Sequence, residues 1–188
     1  MSGSALTLPR FITIWIIIAG VVVSWDAGYL LTRPHSMAGG PLFWLFQPYA
    51  KYITLDLLYG NLKNSFVVAQ AWLNILEIIC GFLALAMYHG SKSSTTKNLA
   101  CVILLITCVA TFCKTVLYFV HDFVDTGIHP DQHPTDISWF DYIMLFIVPN
   151  IIWIVVPLSC IVNLTKQIVA VCDKAQPKQP KQQKTKTN

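Results

Sequence analysis

Charge is what this sequence has least of. Of 188 residues, only 12% are charged, and Glu77 is the sole glutamate. With 55% hydrophobic residues and a mean hydropathy of +0.57, the composition excludes an ordinary soluble globule and points to an integral membrane protein. The signatures of common active sites are missing as well. There is no C-x-x-C or H-E-x-x-H spacing for zinc, no P-loop or dinucleotide turn, and no serine-hydrolase elbow, so no cofactor and no metal is expected. The net charge of +4 does not mark a nucleic-acid binder, because the lysines gather in one loop and the C-terminal tail. Of the six cysteines, five (Cys80, Cys101, Cys108, Cys113, Cys160) fall in apolar runs and Cys172 follows the last run. They read as small apolar fillers rather than a disulfide framework.

What is abundant is long apolar runs. Four of them, at about 11–31, 66–88, 99–121 and 142–164, are each long enough to cross a bilayer. The expected fold is all-α, an integral membrane four-helix bundle with an intramembrane cavity. Its membrane domain covers 11–168, after a short cytosolic N-terminus (1–10) and before a tail (173–188). The first run competes with a signal-peptide reading. It is long, however, and continues through Trp25-Asp26-Ala27-Gly28-Tyr29 without a small-x-small cleavage site, so it reads as a span.

Between the first two spans lies a connector rich in Trp44, Phe46, Tyr49, Tyr52 and Tyr59. Aromatics with polar tips favour the membrane interface, and such composition argues against disorder. It is expected to form short helical pieces over the mouth of the bundle. The tail is rich in Lys, Gln and Pro, with too few apolar residues to form a core, and is expected to be disordered.

Four spans put both termini on one side. Lys92, Lys97 and the six lysines from Lys166 onward mark that side as cytosolic. The terminal Lys184-Thr185-Lys186-Thr187-Asn188 matches a dilysine retrieval signal, which implies the endoplasmic reticulum membrane. The sequon Asn163-Leu164-Thr165 lies at the cytosolic end of the fourth span and should stay unmodified.

Polar residues within the spans are spaced along helix faces. Gln70, Asn74, Glu77 and Gly81 recur at i, i+4, i+7 and i+11. Thr107, Thr111, Lys114, Tyr118 and His121 form a second stripe in the third span, and Asn150, Trp153 and Pro157 lie near one face of the fourth. An ionisable group at membrane depth costs about 2.5–3.5 kcal/mol on insertion scales, so it faces a bundle interior and pairs there. Asp26, Glu77 and Lys114 are such groups. Two readings follow: polar glue between helices, worth about 0.6–2 kcal/mol per contact, or a ligand cavity lined by these residues. Two carboxyls together with Asn150 and Trp153 favour the cavity.

The histidines His121, His129 and His133 lie near Asp122, Asp125 and Asp131. Without helix-borne ligand spacing they read as a solvated loop rather than a zinc site.

Several of these residues carry a family resemblance: Trp25-Asp26-x-x-Tyr29, Trp44 through Pro48-Tyr49, Glu77, Val116-Leu117-Tyr118-Phe119, and Pro149-Asn150-x-x-Trp153-x-x-x-Pro157. Over roughly 11–168 the chain resembles the EXPERA family, which includes a sterol delta-8 to delta-7 isomerase and the sigma-two receptor. The resemblance implies a four-helix intramembrane bundle, often a homodimer, around a cavity for a sterol-like lipid or lipophilic amine. It also implies that Asp26, Glu77 and Asn150 surround a reacting sterol ring as the catalytic set. The ligand-binding set is then Asp26, Glu77, Lys114, Tyr118, Asn150 and Trp153. One protonated carboxyl would donate to the ring alkene and a second polar group would remove the neighbouring proton, with the Trp153 face holding the cation.

The chain departs from the isomerase at three places. Val22 stands where the isomerase has a histidine, Asp26 replaces a glutamate, and Lys114 replaces a small residue. Three functions therefore compete: a sterol isomerase, a non-catalytic lipid or amine binder using Asp26, and a tetraspan scaffold whose polar stripes only join helices.

Overall fold

A computed structural model of the chain describes residues 5–128 and 138–175. Helix α1 (Arg10–Leu31) follows Pro9 and ends just before Arg33-Pro34, where the peptide bond is cis. The connector then makes a 3-10 turn (Phe43–Leu45) and two one-turn helices, α2 (Tyr49–Tyr52) and α3 (Leu57–Gly60). Helix α4 (Ser65–Gly90) starts where Asn64 Oδ1 accepts from the Val67 N–H at 3.2 Å, a side-chain cap on one of the orphan donors of the first turn. Helix α5 (Ser94–Ile128) follows a three-residue loop. The last long helix runs from Trp139 to Ala175 as α6 (Trp139–Tyr142), a π-helical turn (Ile143–Ile147) and α7 (Val148–Ala175).

Four of these helices are long and apolar enough to cross a membrane: Arg10–Leu31, Ser65–Gly90, Ser94–His121 and Trp139–Lys174. Among the described residues there is no strand. The third span ends at His121, and its helix α5 continues beyond it to Ile128. The fourth span begins at Trp139, where the Ser138 hydroxyl accepts from the Phe140 N–H. The histidine loop at 129–137 and the tail at 176–188, with its dilysine, lie outside the described residues.

The bundle is built by α1 packing on α4, α4 on α5 and α5 on α7. Close approach of α1 and α4 depends on two glycines. A Cβ on Gly20 would lie 2.6 Å from the Phe82 ring, and one on Gly81 would lie 3.1 Å from Ile16. Small residues of this kind let membrane helices pack closely in the absence of a hydrophobic drive between them. The outward faces carry Val21, Trp72 and Ile106, each more than 60% exposed, as suits a surface solvated by lipid. Of the cysteines, the filler reading fits Cys101, Cys108 and Cys160, which are buried. It does not fit Cys113 and Cys172, which are exposed on outer faces.

One end of the bundle is stitched by the segment before α1. The Leu6 N–H donates to Asn98 Oδ1 (2.7 Å), the Leu8 N–H to the Tyr88 hydroxyl (2.9 Å) and the Thr7 N–H to Gln167 Oε1 (2.9 Å). The start of α1, the α4–α5 loop and the C-terminal half of α7 thus share that end. The aromatic connector packs at the other. There Tyr29, Tyr49 and Tyr59 stack nearly parallel, Tyr29 on Tyr49 with centroids 3.9 Å apart. Lys51 reaches Asp141 at 2.6 Å and ties α2 to the start of the last helix.

Candidate functional site

Toward the connector end, the helices and the connector border a partly open cavity of about 510 Å³. That size is ordinary for a small-molecule site, and its wall is mostly apolar with a few convergent polar groups. Helix α1 contributes Val22, Trp25 and Asp26 to the wall, and the connector contributes Tyr49, Tyr52 and Tyr59. From α4 come Gln70 and Asn74, and from α5 come Lys114, Thr115 and Tyr118. The last helix supplies Leu145, Pro149, Asn150 and Trp153.

Asp26 is the one acid in that lining. Its Oδ1 accepts from the Tyr49 hydroxyl at 2.7 Å and the Tyr59 hydroxyl at 3.1 Å. Oδ2 is more lightly engaged, with Tyr59 at 3.2 Å and Asn74 Nδ2 at 3.5 Å. The two tyrosines are dependable donors. Burial first, and the charge of Asp26 next, push both hydroxyls above the ordinary tyrosine range, so they stay protonated.

Behind Asp26 runs a second polar group. Asn74 Oδ1 accepts from Lys114 Nζ, and the same ammonium lies 2.8 Å from Glu77 Oε2. The Thr111 hydroxyl sits 2.9 Å from that Glu77 oxygen. The ammonium and carboxylate are only 11% and 14% exposed. A pair so desolvated persists because each charge has further hydrogen bonds, which offset the cost of removing it from water. Glu77 does not line the cavity. Although it shares a helix face with Asn74, Lys114 holds its carboxylate on the α4–α5 side, and Lys114 is the one that borders the space.

The last helix shapes the remaining wall through its two prolines. Pro149 has no N–H for the Leu145 carbonyl, and the π-helical turn lies immediately before it. The Asn150 amide donates to the Phe146 carbonyl at 2.8 Å across this distorted stretch, leaving its own oxygen available. Pro157 likewise supplies no donor to the Trp153 carbonyl one turn earlier. The Trp153 ring meets Trp15 of α1 edge to face, with centroids 5.0 Å apart. That contact fixes the indole at the cavity wall.

Of the six residues expected to bind ligand, Asp26, Lys114, Tyr118, Asn150 and Trp153 line one cavity, whereas Glu77 stands behind it. Of the three expected to be catalytic, Asp26 and Asn150 line it. His121 is not part of the lining. It stacks on Phe66 at 4.2 Å. Among the described residues no cluster of three metal-ligating side chains occurs.

One important residue escaped the sequence reading. Asp56 is 6% exposed and caps α3, with its Oδ1 accepting from the Leu58 N–H at 3.1 Å. Its Oδ2 accepts from the Tyr52 hydroxyl at 3.1 Å and from the Tyr118 hydroxyl. Through these tyrosines it pins the connector to α5 over the cavity. The signal available was an Asp followed by the short apolar run Leu57-Leu58-Tyr59, a helix start. Arg33 finishes the same small helix, donating to the Tyr59 carbonyl at 2.8 Å and the Asn61 carbonyl at 3.2 Å.

Comparison of the chain with family models, with curated proteins and with solved structures found no match.

Proposed function

We propose that this chain is a multi-pass membrane protein that binds an amphipathic lipid with a cationic amine head, without transforming it. The observation that carries the reading is the unequal fate of the two carboxyls. Glu77 is neutralised by Lys114, while Asp26 lines the cavity beside apolar walls and is held only by neutral donors. With Glu77 and Lys114 cancelling, the inner charge left for a ligand is the negative charge of Asp26. An amine satisfies it, and the ring of Trp153 adds a face suited to a cation. The EXPERA resemblance of the sequence agrees with this use of Asp26, as do the apolar helices with a bilayer. The lysine distribution supports cytosolic termini.

A proton-transfer isomerase is the second reading, and one observation favours it: Asp26, Tyr118, Asn150 and Trp153 border the same space. Against it, the Lys114 pair occupies the second carboxyl, and Val22, where the isomerase has a histidine, lines the cavity as an apolar group. Expression in cells lacking sterol delta-8 to delta-7 isomerase separates the two. The binder reading expects no restored product from well-expressed protein, and restoration would overturn it. Binding itself is tested with octadecylamine on purified protein, expected to be saturable and to depend on Asp26.

A further inference from the structure

The side-chain oxygen of Gln70 has no hydrogen-bond partner in the protein. The residue sits on the cavity wall and is only 8% exposed. A buried amide left without a partner costs about 1–3 kcal/mol, and buried polar groups in folded proteins are nearly always paired. Two other polar residues of the same lining are bonded elsewhere. Asn74, one turn along α4, bonds Asp26 and Lys114, and Tyr118 bonds Asp56. The protein therefore carries, at the edge of its cavity, a hydrogen-bonding group for which it supplies no partner of its own.

We infer that Gln70 is a second recognition point in the cavity, binding a hydroxyl on the ligand whose ammonium is held by Asp26. This rests on the amine-binding reading above and extends it to a ligand class, the amphipathic amino alcohols. A hydroxyl suits the site because it both donates and accepts, and so matches either end of the amide. The placement also suits it. Gln70 is one helix turn from Asn74 on the same face, Asn74 Nδ2 is 3.5 Å from Asp26 Oδ2, and Gln70 and Asp26 border the same cavity. A head with its hydroxyl on a carbon next to the amine-bearing carbon offers one polar group to each of them. The apolar tail then runs along Val22, Leu145 and Trp153.

The test compares two eighteen-carbon amines on the purified full-length protein in detergent. Sphinganine carries an ammonium flanked by hydroxyls, and octadecylamine carries the ammonium alone. Dissociation constants are read from tryptophan fluorescence, because Trp25 and Trp153 line the cavity. Wild-type protein is expected to bind sphinganine about 3- to 10-fold more tightly, the net effect of one hydrogen bond. Gln70→Leu is expected to abolish that preference, read as the ratio of the two dissociation constants within each protein. Gln70→Met serves if the leucine variant misfolds, and the wild-type comparison stands without either variant. Equal affinity of the wild type for the two amines, or a preference that survives loss of the Gln70 amide, overturns the inference. Octadecylamine binding that depends on Asp26 but shows no preference for sphinganine refutes the role of Gln70 alone. Failure of both amines to bind folded protein refutes the amine reading and this inference with it.

Discussion

Lys114 Nζ stands 2.8 Å from Glu77 Oε2, and the pair joins α4 to α5 beside the cavity. This contact leaves Asp26 as the carboxyl that lines the cavity. It also gives Glu77 a structural role: its partner is a helix away, fixed, and itself bonded to Asn74. Breaking such a pair leaves one buried charge without compensation, whereas replacing both members with apolar groups removes the problem. Glu77→Leu and Lys114→Met are each expected to destabilise the protein by about 3–5 kcal/mol. The double variant is expected to unfold within a few degrees of wild type and to keep octadecylamine binding. Thermal unfolding in detergent measures the stabilities. Loss of amine binding in a folded double variant would show that the pair acts on the ligand after all.

Asp56 is expected to matter for stability and, through Tyr118, for the shape of the cavity. Asp56→Ala removes the α3 cap and leaves the Tyr52 and Tyr118 hydroxyls without the carboxylate that accepts from them. Loss of a cap costs about 1 kcal/mol and loss of a hydrogen bond to a charged group about 1.5–3 kcal/mol. Tyr118→Phe removes one bond and leaves the cap, so it should cost less. Equal melting temperatures for Asp56→Ala and wild type would contradict this arrangement.

The connector tyrosines give a pH signature. Tyr49, Tyr52 and Tyr59 all have hydroxyls raised above the ordinary value of 10.0, chiefly by burial and then by nearby carboxylates. The folded state therefore prefers them protonated. Their stabilising contribution is complete below the unfolded value near 10 and is lost as pH rises from there toward the folded values. Phenolate absorbance is expected to show these three ionising only as the helical signal collapses. Ionisation of every tyrosine in one step near pH 10, with the helices intact, would argue against the buried stack.

Much of the helical plan could be read from hydropathy. The four long helices begin within a few residues of the apolar runs, because an uninterrupted run of about twenty apolar residues has few alternatives. The ends were harder to read. Helix α5 continues past the end of its span at His121, and the π-helical turn before Pro149 has no signature beyond the proline. Helix periodicity grouped Gln70, Asn74 and Glu77 on one face, yet only two of the three line the cavity. A face is wider than a contact, and the choice of Lys114 as the partner of Glu77 depends on how two helices are rotated against each other. Asp56 shows the other limit. Its bonds run to Tyr52 four residues earlier and to Tyr118 on a different helix, and no local pattern encodes the second.

The central claim is that Asp26 holds a cationic amine in the cavity, and the most direct measurement is octadecylamine affinity in wild type and Asp26→Asn. Asparagine keeps an oxygen to accept from Tyr49 and Tyr59, so the tyrosine stack should survive and the charge alone is lost. Affinity is expected to fall by about 30-fold or more, since removing one partner of a buried charged pair costs at least about 2 kcal/mol. Octadecanol, with the same chain and no charge, should bind both proteins alike. Unchanged octadecylamine affinity in folded Asp26→Asn protein would contradict the account.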